Sequence, residues 1–354
     1  MNPNHWYPAA FGREVKKGKV IETKFSGEDL AVYRGEDGVA QVVENRCAHR
    51  HIKLSHGTVE NCNLVCLYHG WTYDRSGELV EMKHDDFGKK LPSVRIKSFE
   101  TRERYGIIWF FPGDQELAKV TPLVDIPNYY GPEAWGSLSF AFTWGAHHSM
   151  IIDNLCNLTH VWVHGKWLPY ADTKLAGHTQ EGDKITVTWN HELRRDYQFP
   201  FSRRMFGKNN GSESDTYMVY DYPYQSAYSN GRVRTSNLML PIDDTHTKVF
   251  SIQQWQPARI PFTKNKHFPK FASQVFMPIM RPYVMQVFRQ DGFTVQEEQA
   301  SYLQHIDKPI PEPNPVVNRF NKLAVQKWKD YLAYAETGEQ TDEQAAEQRR
   351  VKRL

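Results

Sequence analysis

Cys47-Ala-His-Arg-His-Ile52 and Cys66-Leu-Tyr-His-Gly-Trp71 are the stretches on which the reading of this chain turns. Each sets a histidine close behind a cysteine, His49 after Cys47 and His69 after Cys66, and sixteen residues separate His49 from Cys66. Around them the pattern is one of short strands and turns. Val20–Phe25 and Leu30–Tyr33 read as strands, Gly35-Glu-Asp-Gly38 as a hairpin turn, and Ala40–Val43 as the strand that follows. Gly106–Pro112 reads as a buried strand that stops at Pro112-Gly-Asp114. Residues 1–118 are therefore expected to form an all-β module in which two tight loops face each other, with Gly57 and Gly70 supplying permissive backbone.

Two thiols and two imidazoles in the order C-H-C-H form the donor set of a Rieske [2Fe–2S] centre. One iron takes the two thiolates and the other takes the two imidazoles, which removes negative charge and raises the reduction potential relative to an all-cysteine cluster. Zinc accepts the same donors, but the usual finger order is C-C-H-H with the histidines on a helix, and that order is absent. Cys62 has no histidine three residues on and reads as structural. His51 and His56 read as loop residues or as support behind the ligands.

The second half changes character. Gly136–Trp144, Lys184–Trp189, Tyr217–Tyr222, Thr235–Leu240 and Lys248–Gln254 read as strands. Ser149–His164, residues 268–306 and residues 315–337 read as helices, the last capped by Asn314-Pro315. Strands followed by helices imply an α+β domain over residues 119–337, an antiparallel sheet with helices on one face. Residues 120–127 read as a linker and 338–354 as a frayed polar tail. Asp153, Asn157, His160 and His164 are spaced to share one stripe of the helix. Two histidines on one face, with a carboxylate from elsewhere, can build a 2-His-1-carboxylate site for Fe(II). A polar helix face turned to water would have the same spacing.

The flanks carry a resemblance. Trp6-Tyr-Pro8, Tyr33-Arg-Gly35, Cys47-Ala-His-Arg50, Leu54-Ser55, Tyr68-His-Gly-Trp71 and Glu103–Asp114 look like the Rieske domain of vanillate O-demethylase-type oxygenases. Asp153-Asn-Leu-Cys-Asn-Leu-Thr-His160 is similar to the mononuclear-iron motif of the same family. The resemblance implies a helix-grip-like second domain, with His160 and His164 as iron ligands and Asp291 as the third. Glu297 and Glu298 are alternatives for that third ligand. It gives Asn157, with Asp153 beside it, a place in the catalytic machinery. Where the family usually has an Asp joining the two metal sites of neighbouring subunits, this chain has Asn157, which cannot carry the charge. The resemblance further implies a homotrimer, O2 as co-substrate, and electrons from an NAD(P)H-dependent reductase or ferredoxin. The expected reaction is hydroxylation or oxidative demethylation of a hydrophobic cyclic molecule, aromatic, sterol or terpenoid. A non-catalytic electron carrier or binding protein, altered at Asn157, is the other reading. A pheophorbide-type plastid oxygenase would carry a C-terminal C-x-x-C, and no cysteine follows Cys156.

Composition narrows the rest. The 354 residues are 40% hydrophobic and 24% charged, which suits two globular domains, and a net charge of +3 gives no case for a nucleic-acid partner. The basic cluster Arg349, Arg350, Lys352 and Arg353 reads as a solvated helix end. Four cysteines in a chain this long do not make a disulfide framework. No apolar run approaches the ~20 residues of a spanning helix, and no signal peptide is visible, so a cytoplasmic protein is expected. No G-x-G-x-x-G fingerprint is present, which places the reductase on another polypeptide. Tyr222, Tyr224, Trp255 and Phe276 are candidates to line a substrate pocket.

Overall fold

A computed structural model describes residues 1–84, 90–194, 214–229, 231–256 and 270–351. The N-terminal part is all β. Strands β1 (Tyr7–Phe11), β2 (Lys19–Phe25), β3 (Glu28–Arg34) and β4 (Ala40–Glu44) are followed by the short strands β5 (Thr58–Glu60), β6 (Asn63–Val65), β7 (Trp71–Tyr73) and β8 (Leu79–Met82). Then come β9 (Ser98–Phe99), β10 (Thr101–Arg104) and β11 (Ile107–Phe110). They form three sheets, ordered β1-β11-β10, β2-β3-β4-β9 and β5-β6-β7-β8. The last of these carries the second Cys/His loop, between β6 and β7. Helix α1 (Gln115–Val120) was not expected; Asp114 caps it by accepting from the amide of Glu116 at 2.8 Å.

The second part is one seven-stranded antiparallel sheet. Its strands are β12 (Gly136–Trp144), β13 (Tyr170–Glu181), β14 (Lys184–Leu193), β15 (Ser214–Asp221), β16 (Tyr224–Ser229), β17 (Val233–Asp243) and β18 (His246–Trp255). Their order is β12-β18-β17-β16-β15-β14-β13. Strand β13 is an edge strand with register shifts after Ala171 and Leu175 and mostly exposed residues. That is why no alternating apolar pattern announces it. Helices α2 (His148–Cys156), α3 (Val161–His164), α4 (Lys270–Gln304) and α5 (Pro315–Val351) complete the domain, α5 running past the stop expected at 337.

Both faces of the sheet are covered. Residues Ser236–Pro241 of β17 are buried without a break, the pattern of a strand packed on two sides. On one face Leu238, Leu240, Phe250 and Ile252 pack with Trp6, Tyr7, Phe11 and Trp109 of the N-terminal domain. On the other, Met239 and Val249 join Ile151, Phe288, Val316 and Phe320 of the helices. The N-terminal segment pins the two parts together. The Asn2 amide donates to Tyr222 Oη (2.8 Å), Asn2 Nδ2 to the Lys327 carbonyl (3.2 Å), and Tyr224 Oη to the Trp6 carbonyl (2.7 Å). Tyr222 and Tyr224 are thus spent on this junction, not on a pocket. Trp255 packs with Met280, Leu138, Val233 and Val284, while the side chains of Phe276 and of the terminal basic cluster lie outside the described residues.

Candidate metal centres

The two Cys/His loops have the same backbone. The Cys47 amide donates to the Ile52 carbonyl (2.9 Å) and the Cys66 amide to the Trp71 carbonyl (2.8 Å). In return the His51 amide donates to the Cys47 carbonyl (3.0 Å) and the Gly70 amide to the Cys66 carbonyl (3.1 Å). The residue four beyond each cysteine is left-handed, His51 at φ 59° and Gly70 at φ 64°. The two loops are therefore equivalent halves, each closed by a pair of backbone bonds, and they differ only in where the histidine sits. The expectation for Gly57 needs correcting. Its φ is −82°, open to any residue; what requires glycine is that a Cβ there would collide with the Val65 carbonyl oxygen.

Cys47 and Cys66 are buried, free thiols at 2% and 3% exposure. With His49, His69, Arg50, Ile52, Tyr68 and Trp71 they line a shallow cleft. The His49 and His69 rings are 4.7 Å apart, and Trp71 stacks on His49 at 4.6 Å. Tyr73 Oη lies 3.2 Å from Cys47 Sγ and accepts from the Ala48 amide at 3.1 Å. Burial pushes the Cys66 thiol up, so that group gives up its proton on binding a metal. Two soft donors and two imidazoles converging from opposite loops fit a [2Fe–2S] cluster. Cys62 lies apart at the β5–β6 turn, against Gly35. His51 and His56 are exposed.

The second constellation departs from the continuous stripe. Helix α2 ends at Cys156, and Asn157 is extended at φ −115°, ψ 110°. Its Oδ1 accepts from the Thr159 amide (3.0 Å) and from Thr159 Oγ1 (2.7 Å), starting a new turn over Leu158–His160 before α3. Asn competes with helical backbone bonding, and Thr159, Val161 and Val163 are β-branched, so the sequence favours a break here. Asp153 consequently faces away from the histidines. Its Oδ2 accepts from Asn321 on α5 at 3.3 Å. Burial, with Glu298 and Glu312 adding to it and Asn321 opposing, pushes its carboxyl up to about 7.

His160 and His164 nonetheless meet Asp291, which α4 brings across the sheet. Asp291 Oδ1 lies 3.3 Å from His160 Nε2 and 3.2 Å from His164 Nε2, and it is buried with no hydrogen-bond partner of proper geometry among the described residues. Donor atoms bound at about 2.0–2.2 Å to one ion and at right angles to each other would be about 3 Å apart, so the trio fits a single metal. Burial alone would raise the Asp291 carboxyl, but the two imidazoles hold it below the usual range. Gln290 Oε1 lies 3.1 Å from His164 Nδ1. An amide oxygen only accepts, so Nδ1 carries the proton and Nε2 keeps its lone pair for a metal. Glu297 and Glu298 are exposed and outside this group.

Two positioning devices carried no recognised signal in the sequence. Gly292 lets α4 approach β12, because a Cβ there would collide with the buried Trp144 ring. Gln296 and Gln299 accept from the amides of Gly145 (3.1 Å) and His147 (2.8 Å), tying α4 to the entry of α2.

Residues 5–97 match the Rieske [2Fe-2S] domain family, and residues 144–337 match the vanillate O-demethylase oxygenase C-terminal domain. The chain is 32% identical over 335 residues to 4beta-methylsterol monooxygenase of Methylococcus capsulatus, spanning 94% of this chain and 89% of that protein. It is 34% identical over 158 residues to the vanillate O-demethylase oxygenase subunit of a Pseudomonas strain, spanning 44% and 43%. Its fold is similar to that of dicamba monooxygenase bound to dicamba, with TM-score 0.76 over 95% of this chain and 99% of that one at 18% identity.

Proposed function

The chain belongs to the Rieske non-haem iron oxygenases with a vanillate O-demethylase-type second domain, and from that premise we propose which residues hold its two cofactors and what class of substrate it oxidises. As a terminal oxygenase it carries one Rieske [2Fe–2S] cluster and one mononuclear iron. Cys47, His49, Cys66 and His69 hold the cluster; His160, His164 and Asp291 hold the iron. The observation that carries the second assignment is that the three donor atoms lie within 4.8 Å of one another. A non-catalytic carrier is set aside, because a relative spanning nearly the whole chain is a monooxygenase.

When bound, the cluster supplies single electrons and the iron supplies reductive activation of O2. The chain supplies position and exclusion of water. Gln290 fixes the His164 tautomer, and the Trp144 ring packs against Gly292, next to Asp291. Overall, R–H, O2, two electrons and two protons give R–OH and water, the electrons coming from a separate reductase or ferredoxin.

The substrate is a hydrophobic polycycle of the sterol class, oxidised at a methyl group. What supports this is that the sterol-acting relative matches 94% of the chain at 32% identity, against 77% at 28% for a phthalate-acting relative and 44% for the dicamba- and vanillate-acting ones. The working form is a head-to-tail trimer. Trp162, between the two iron-binding histidines, is 83% exposed, and Leu67 and Tyr68 at the tip of a cluster loop are 66% and 58% exposed. Large apolar residues exposed at both redox sites suit contact between copies. Among the described residues no helix is long and apolar enough to cross a membrane.

The test is oxygen uptake and product analysis with reductase, ferredoxin and either a 4-methylsterol or an aryl methyl ether. Sterol-dependent uptake yielding a hydroxymethyl product is expected. Uptake with the ether alone would sink the sterol assignment, and an Asp291→Ala protein with full mononuclear iron would sink the ligand assignment.

A further inference from the structure

The helix-facing side of the sheet is unusually polar for a buried surface, and nearly all of that polarity is paired. Asn237 Nδ2 donates to Gln225 Oε1 (2.7 Å), Ser251 Oγ to Asn237 Oδ1 (2.8 Å), and Gln253 Nε2 to Ser251 Oγ (3.0 Å). Thr216 and Ser229 share a hydrogen bond at 3.0 Å. Against this background β14 stands out. Its buried residues Ile185, Val187, Trp189 and His191 alternate onto that same face. Trp189 is 1% exposed and His191 2%, yet among the described residues Trp189 Nε1 and both ring nitrogens of His191 are buried without a hydrogen-bond partner. Native proteins seldom leave such groups unmet.

Their place in the fold ties them to the iron site. Trp189 packs in one cluster with Val161, next to His160, and with Phe288, three residues before Asp291. Tyr170, six residues after His164, pairs with Leu193 across the sheet, and its ring centroid is 3.9 Å from that of His191. His191 thus stands at the end of β14 that adjoins the loop leaving the iron-binding histidines.

We propose that His191 and Trp189 form a neutral polar subsite that receives the oxygen function of the substrate and so sets which carbon is presented for oxidation. A neutral imidazole offers one donor and one acceptor, and the indole offers a second donor. Burial alone holds the imidazole down at about 4, so it is uncharged at neutral pH. Two donors and one acceptor match a hydroxyl or a ketone. They do not match a cation, and they give a carboxylate no charge to offset its desolvation. Resting on the sterol reading, the group is the hydroxyl on C3, whose carbon is bonded to C4.

The experiment uses the holoenzyme with its reductase and two probes, a 4,4-dimethylsterol bearing the 3-hydroxyl and its 3-deoxy analogue. Sites built to hydrogen-bond a hydroxyl reject the analogue that lacks it. Wild type is expected to lose at least about tenfold in kcat/KM with the deoxy sterol. His191→Phe should lower the preference severalfold, with both metals still bound, because the imidazole's donor and acceptor are then gone and only the indole N–H is left unmet. His191→Gln, which keeps a donor and an acceptor, should restore the preference. If His191→Phe does not load iron, Trp189→Phe replaces it and should lower the preference severalfold. Equal oxidation of both sterols by wild type would mean that these nitrogens meet water only, and would overturn the subsite alone. A preference unchanged in an iron-loaded His191→Phe would do the same. Oxidation of neither sterol by wild type overturns the sterol reading, and this proposal with it.

Discussion

Gln290 shows how much a single residue contributes beside a metal ligand. Its carbonyl oxygen at 3.1 Å from His164 Nδ1 orients a ring that is 2% exposed. Groups that orient a ligand in this way typically cost 10–100-fold in metal affinity when removed. Gln290→Leu is therefore expected to weaken mononuclear iron by about tenfold or more, measured by iron titration, with the cluster's visible spectrum unchanged. Asp153 makes a different kind of statement. Its carboxyl, ordinarily at 3.8, is pushed up to about 7, first by burial and then by Glu298 and Glu312. Between those values the folded chain holds a proton that the unfolded chain has released. Its contribution to stability is thus complete below about pH 4 and is lost as pH rises through 7. Asp153→Asn should raise the melting temperature more at pH 8 than at pH 5. A shift equal at both pH values would mean that Asp153 is ionised at an ordinary pKa. The sequence marked Gln290 as a neighbour of a ligand and Asp153 as a member of the iron motif with a catalytic place, but neither the tautomer nor the burial is written in spacing.

At the scale of elements, the cluster loops were the most legible part. Four donors at fixed spacing within short strands have few other meanings, although only the structure reveals that 47–52 and 66–71 are matching halves. The iron helix was half legible. The spacing of His160 and His164 was meaningful, but the stripe through Asp153 and Asn157 assumed one continuous helix. Asn157 ends that helix and spends both lone pairs of its oxygen on Thr159, leaving Nδ2 as its free capacity to bridge toward a neighbouring imidazole. Asn157→Ala should cost about 0.5–2 kcal/mol of local stability through the lost cap. It should also slow oxidation of the reduced cluster in single turnover, with both metals present. If Ala transfers electrons as fast as Asn, the residue is only a cap. The approach of α4 to β12 makes a sharper demand. Gly292→Ala would drive a methyl into Trp144, and overpacking of this kind typically costs about 1–3 kcal/mol. Because the displaced element carries Asp291, loss of mononuclear iron and turnover is expected, while the cluster signal survives. Gly292 left no mark in the sequence because its need arises only when two distant elements meet.

At the scale of the whole molecule, the sheet lies between the N-terminal domain and the helices that carry the proposed iron ligands. Its far face packs on the N-terminal domain through Leu238, Leu240, Phe250 and Ile252, while Asp291 and the histidines lie on the helix side. The cluster loop presents Leu67 and Tyr68 outward, and the iron helix presents Trp162 outward. A closed ring of identical contacts, each joining one surface to a different surface of the next copy, would cover both patches at once. Placing a charge in such a contact is costly because the group must be desolvated unpaired. Trp162→Glu, at an 83% exposed position, should therefore leave folding and both metals of each chain intact. It should convert the proposed trimer to monomers by light scattering, and lower turnover at least about tenfold, a loss corresponding to about 1.4 kcal/mol. Leu67→Glu should do the same from the opposite side. Because each contact needs one patch from each copy, a mixture of the two variants can form at most isolated productive interfaces between an intact Leu67 loop and an intact Trp162 helix. Partial recovery of turnover in the mixture, beyond the sum of the separate variants, is the result expected of two different surfaces that pair. Full activity of a Trp162→Glu monomer would show instead that electrons reach the iron within a single chain, and the ring would be wrong.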